Sequence, residues 1–92
     1  MIVRISGEGQ FRLADHLADQ LNELDNACVA AVEAGDERRF RELFDELIAL
    51  IEREGEPLAD DELVESDVIV PPRDITFEEA RRDFTGEGIV PE

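Results

Sequence analysis

The sequence predicts an α+β domain, and three observations carry that prediction. A Gly-Glu-Gly turn at 7–9 sits between two short β-rich runs. Two long stretches with helical apolar spacing meet at Gly35-Asp36. The remaining third of the chain alternates short β-branched runs, prolines and one capping box. The expected order is an N-terminal β-hairpin, an antiparallel helix hairpin, short strands and a short C-terminal helix, all in one domain spanning residues 1–92.

Ile2-Val3-Arg4-Ile5-Ser6 reads as a first strand and Gln10-Phe11-Arg12-Leu13 as a second. The two glycines supply positive φ angles for a three-residue turn. Pairing Ser6 with Gln10 sets Ile5 against Phe11, Arg4 against Arg12 and Val3 against Leu13. Val3, Ile5, Phe11 and Leu13 then form one apolar face. Arg4 and Arg12 stand side by side on the other, where two like charges need anions between them. Acidic side chains of the same chain, such as those of segment 60–67, are one source; a bound anion or an acidic partner is another.

From Leu13 to Glu54 the chain reads as two helices. Leu13, Leu17, Leu21, Leu24, Ala27, Cys28, Ala31 and Val32 recur at steps of three and four. Gly35 suits a left-handed helix end, and Asp36 can cap the next helix. Phe40, Leu43, Phe44, Leu47, Ile48, Leu50 and Ile51 repeat the pattern until Gly55 and Pro57 stop it. So short a connection makes the helices antiparallel. Both stripes exceed what a two-stranded coiled coil covers, so the surplus must be met by the other elements, by a second copy in a homodimer, or by a partner helix.

Beyond Gly55 lies a polar connection to Asp61. Leu63-Val64 and Val68-Ile69-Val70 are strand candidates, ended by Pro71-Pro72. Thr76-Phe77-Glu78-Glu79 is a capping box that predicts a helix from about Phe77 to Phe84. Gly86-Glu87-Gly88 breaks it, and Ile89-Val90-Pro91 can add a last edge strand.

The formal net charge is −16, and all nine basic residues are Arg. This excludes generic nucleic-acid binding, which needs a basic surface. Two readings remain: an acidic surface for a basic partner, or a chain adapted to high salt. The absence of Lys favours the second. No apolar run is long enough for a membrane span, and a cytoplasmic location is expected. Cys28 cannot form an internal disulfide and lies on the apolar stripe, as a buried thiol does.

Catalytic chemistry finds little footing. His16 stands beside Asp15 and Asp19, but no nucleophile motif accompanies it. Asp60-Asp61-Glu62 with Glu65 and Asp67 could gather a hard cation, yet the spacing fits no EF-hand loop. No phosphate-binding glycine loop is present. No cofactor, metal or enzymatic activity is expected. Arg38, Arg39 and Arg41 form the densest basic spot; they pair with Glu33, Glu37, Glu42 or Asp45, or they dock an acidic partner or lipid head groups.

The opening Met-Ile-Val-Arg-Ile-Ser-Gly-Glu-Gly-Gln-Phe-Arg-Leu resembles the start of the PspA-associated (PspAA) family of the phage-shock envelope-stress system. Leu21-Asn22-Glu23-Leu24-Asp25 resembles its first helix, Asp61 to Pro72 its second strand region, and Gly86 to Pro91 its C-terminus. The resemblance implies a partner of a PspA-like coiled-coil protein, reaching membranes only through that partner, with no catalytic residues to carry over. The acidity points to a salt-adapted version of archaeal kind. The interaction surface expected on physical grounds comprises Arg4, Arg12, Arg38, Arg39, Phe40, Phe44 and Ile48. The second reading is a small anion-binding regulatory subunit using Arg4 and Arg12.

Overall fold

The computed structural model describes residues 1–59 and 64–83. Strands β1 (Ile2–Ile5) and β2 (Gly9–Arg12) form the expected hairpin. A 3₁₀ turn (Asp15–Leu17) leads into α1 (Ala18–Glu33), and α2 (Glu37–Glu54) returns antiparallel to it. Then come β3 (Glu56–Pro57), β4 (Val68–Val70) and α3 (Phe77–Asp83). The fold is α+β, with the four strands in the order β3-β2-β1-β4.

The hairpin register differs from expectation by two residues. Val3 pairs with Phe11, Arg4 with Gln10, and Ile2 with Arg12. The turn closes earlier, through the Glu8 N–H donating to the Ile5 carbonyl at 2.9 Å, with Gly7 at φ 84° supplying the left-handed residue. A two-residue shift leaves every side chain on its original face, because strand side chains repeat with period two. Val3, Ile5, Phe11 and Leu13 therefore still face the core. Arg4 and Arg12 share the outer face but are not opposite one another.

Leu13 belongs to the sheet and not to the first helix. Its N–H donates to the Met1 carbonyl at 2.8 Å, and the terminal ammonium donates back to the Leu13 carbonyl at 3.0 Å. The helix pair begins only after the 3₁₀ turn. Its joint is as expected: Gly35 has φ 72°, and the Asp36 carboxylate accepts the Arg39 N–H at 3.1 Å.

The stretch after Gly55 is more ordered than a polar connection. Glu56 and Pro57 pair antiparallel with Arg12 and Phe11, and the Leu58 N–H donates to the Gln10 carbonyl at 3.0 Å. β4 runs parallel to β1, with Val3 beside Val68 and Ile5 beside Val70. Of the expected strand Leu63-Val64, Val64 is irregular and Leu63 lies outside the described residues. Phe84, the 86–88 break, the 89–91 strand and the carboxylates of 60–62 also lie outside them.

One core joins sheet and helices. Val3, Ile5, Val68 and Val70 from the sheet meet Leu21, Cys28 and Val32 from α1 and the whole stripe of α2. Ile75 and Ala80 close it from the third-helix side. The surplus apolar surface of the helix pair is thus covered by the chain's own remaining elements, without a second copy or a partner.

Candidate interaction surfaces

Of the seven residues expected to form a partner surface, Phe40, Phe44 and Ile48 lie in the core, and Arg4, Arg12, Arg38 and Arg39 are exposed. Phe40 and Phe44 are 0 % exposed and Ile48 4 %. They are core side chains, because the sheet and α3 occupy the face that the isolated helix pair would leave open. The Phe40 ring stacks on Phe44 with centroids 5.6 Å apart and meets Phe77 edge-on at 6.0 Å.

The arginines of early α2 divide by role. Arg38 approaches Glu42 at 3.4 Å and Arg41 approaches Asp45 at 3.8 Å, both one helical turn on, as expected for paired charges. Arg41 also turns inward. Its guanidinium lies 5.6 Å from the Phe40 ring centre and 5.7 Å from that of Phe44. From there it donates to the Arg73 carbonyl at 2.9 Å and to the Ile75 carbonyl, tying the approach to α3 onto α2. Arg39 stays exposed, and its backbone N–H serves the Asp36 cap.

On the outer sheet face, Arg4 stands between Gln10 on β2 and Ile69 on β4. Arg12 stands between Ile2 and Glu56. Neither arginine has an ion-pair partner within 4 Å among the described residues. The observed register makes Arg4 and Arg12 diagonal neighbours on one face instead of a directly opposite pair. Gln10 Nε2 donates to the Val64 carbonyl at 2.9 Å and to Ser66 Oγ at 2.8 Å, holding the incoming segment on this side of the sheet. Ile69 is 59 % exposed here. Asp67 accepts the Ile2 N–H at 2.8 Å, which gives this carboxylate a structural task.

A second fastening joins hairpin turn, α2 and the loop before α3. Arg73 donates to both Glu8 oxygens, at 2.8 and 2.6 Å, and to Glu52 at 2.8 Å. The Arg73 hydrogen bond holds the Glu8 carboxyl below its ordinary value, and the two carboxylates raise the Arg73 guanidinium in turn. The capping box is formed as the sequence predicts: the Glu79 N–H donates to Thr76 Oγ1 at 3.1 Å and the Thr76 N–H to Glu79 Oε1 at 3.2 Å. The Thr76 N–H and hydroxyl, both donating to Glu79 Oε1, lower the Glu79 carboxyl.

His16 is exposed on the 3₁₀ turn, and the neighbouring Asp15 carboxylate accepts from the terminal ammonium at 3.0 Å. Cys28 is fully buried; burial first, then Asp25 and Glu46, push its thiol up to about 12. Among the described residues no group of three or more His, Cys, Asp or Glu is placed to hold a metal ion, and no helix is long and apolar enough to cross a membrane.

Two surface grooves flank the helix pair. The larger, about 730 Å³, runs between the start of α2 and that of α3 and includes Arg38, Phe40 and Phe77. The smaller, about 460 Å³, runs between α1 and α2. Glu23, Leu24, Glu46, Ala49 and Leu50 line it, with Gln20 and Arg53 at one end. None of these seven was expected at a site from the sequence.

Comparison with curated proteins and with solved structures gives no match. A family model described as PspA-Associated protein (PspAA) matches residues 1–92. The chain belongs to the PspAA family.

Proposed function

We propose that this protein is a non-catalytic interaction module of a phage-shock-type membrane-stress response, and that it binds a PspA-like coiled-coil protein in the cytoplasm. The observation that carries this reading is the family match along the whole chain, to a family described by its association with PspA. Binding would shift the partner between its free and membrane-assembled states, and the module would reach the membrane only through it. The described helices support a module that stays off the bilayer core, since none is apolar and long enough to span it.

The test is direct. Purified chain is mixed with the PspA-like protein encoded in the same genome, at the salt of the native cell, and followed by size-exclusion chromatography with light scattering and by titration calorimetry. A saturable complex is expected. Two separate species at every ratio and salt would overturn the reading.

A further inference from the structure

The sheet has two faces, and the chain's helices cover one. On the other stand Ile2 and Arg4 of β1, Gln10 and Arg12 of β2, Glu56 of β3 and Ile69 of β4. Parallel strand pairs are ordinarily covered on both sides. Here β1 and β4 run parallel, and Ile69 lies 59 % exposed beside Arg4. The segment carrying Val64, 39 % exposed, is held at the same face by Gln10, whose side chain donates to the Val64 carbonyl. Val64 and Ile69 are the large apolar residues left exposed among the described residues, and both are at this face.

The charge of this face is opposite to that of the molecule. The chain carries −16, yet Arg4 and Arg12 are both exposed here. Arg38, Arg41, Arg53 and Arg73 each have a carboxylate within 4 Å. Arg4 and Arg12 have none among the described residues; even Glu56, in register with Arg12, stays farther off. As diagonal neighbours the two arginines have Cα atoms about 7–8 Å apart. Two carboxylates one turn apart on a helix have Cβ atoms about 5–6 Å apart, a span that the long arginine side chains can meet. A helix is about 10–12 Å across and touches this face alone. An anionic bilayer is broad and would also confront the chain's other carboxylates. A second copy docking by the same face would bring two more arginines onto these two.

We propose that the outer face of the sheet receives an amphipathic helix of the partner protein, one that carries acidic residues a turn apart beside an apolar stripe. The stripe covers Ile69 and the carboxylates meet Arg4 and Arg12, so that the docked helix forms a third layer opposite α1 and α2. This rests on the reading of the chain as a binder of a coiled-coil protein and names the surface used.

Three variants of the full chain test it: Arg4→Gln with Arg12→Gln, which removes both charges from the face; Ile69→Ser, which removes its most exposed apolar side chain; and Arg38→Gln with Arg39→Gln, which removes the same charge from α2. Circular dichroism melts verify that each folds, and Ile69→Ser decides alone should the first not fold. At one fixed salt concentration, affinity for the PspA-like protein is expected to fall at least tenfold in the first, at least threefold in the second and less than twofold in the third. Unchanged affinity in both face variants, or a loss confined to the α2 pair, would overturn the sheet face while leaving the functional reading in place. A lowered melting temperature with unchanged affinity in the first variant would assign the arginines to the fold's own stability, and would also overturn it. So would co-sedimentation with phosphatidylglycerol vesicles that the first variant abolishes, which would make a lipid surface the occupant. Should the PspA-like protein not bind at all, a synthetic Leu/Glu amphipathic helix with glutamates one turn apart is titrated instead, against a scrambled peptide of the same composition. Saturable binding of the amphipathic peptide alone, weakened tenfold in the first variant, supports the face without the functional reading; equal binding of both peptides, or of neither, refutes it.

Discussion

Arg73 gains its importance from position. It follows two prolines, so its backbone approaches α3 on a stiff path, while its side chain reaches the hairpin turn and α2 at once. Forked donors and two carboxylates make a charge-assisted network, stronger than an isolated surface pair. Glu8 is held below its ordinary value of 4.5, so the folded chain binds fewer protons there than the unfolded chain. That contribution is present above the ordinary value and is lost as pH falls through the folded one. Glu8→Gln is therefore expected to lower the melting temperature at neutral pH, with the gap to wild type closing below pH 4.5. A gap that stays constant into acid would show that Glu8 acts through packing instead. At Cys28 the thiol is pushed up to about 12 and has no exposed surface. Native protein should not react with a thiol reagent at mildly alkaline pH, and guanidinium chloride should release one reactive thiol per chain.

The elements are held by their ends as much as by their stripes. α2 begins at the Asp36 cap and ends where Gly55 leaves the helix in an extended conformation, with its N–H on the Ile51 carbonyl at 2.8 Å. A Cβ on Gly55 would stand 2.3 Å from that carbonyl oxygen and 3.1 Å from both Leu13 Cδ1 and Phe11 Cβ. Gly55 is thus where α2 hands the chain to the sheet beneath it, and no side chain fits. Gly55→Ala should cost about 1–3 kcal/mol, the usual range for overpacking a tight site, measurable by urea unfolding. Its backbone angle is ordinary for any residue, so an unchanged midpoint would mean the surrounding side chains yield freely.

At the scale of the molecule, charge competes with itself. A net charge of −16 on 92 residues repels over a Debye length of about 10 Å at 0.1 M salt and about 3 Å at 1 M. Salt weakens the Arg73 and Arg38 pairs as well, but these pairs are few beside the carboxylates they leave unpaired. Diffuse repulsion among so many carboxylates is the larger quantity. The melting temperature should rise as potassium chloride is added from 0.1 M to 1 M. A fall over that range would show that ion pairs, not repulsion, dominate the surface.

The local chemistry of this chain could be read directly. Gly35-Asp36, the Thr76–Glu79 box and the alternation of Val3 and Ile5 are each decided by neighbours within a few residues, and each stands where the sequence placed it. The hairpin register was harder, because a shift of two residues keeps every face and so leaves hydrophobic pattern indifferent between alternatives. Only the pairing itself decides that Arg4 meets Gln10 and not Arg12. The role of Phe40, Phe44 and Ile48 was beyond local pattern altogether. A helix stripe records that a surface must be covered; what covers it depends on where distant strands and α3 arrive, and here they arrive on the same side. Apolar residues alone determined that this protein has two long helices with more greasy surface than they share. Tertiary packing decided what covers that surplus, because burial is a property of neighbours brought from far along the chain.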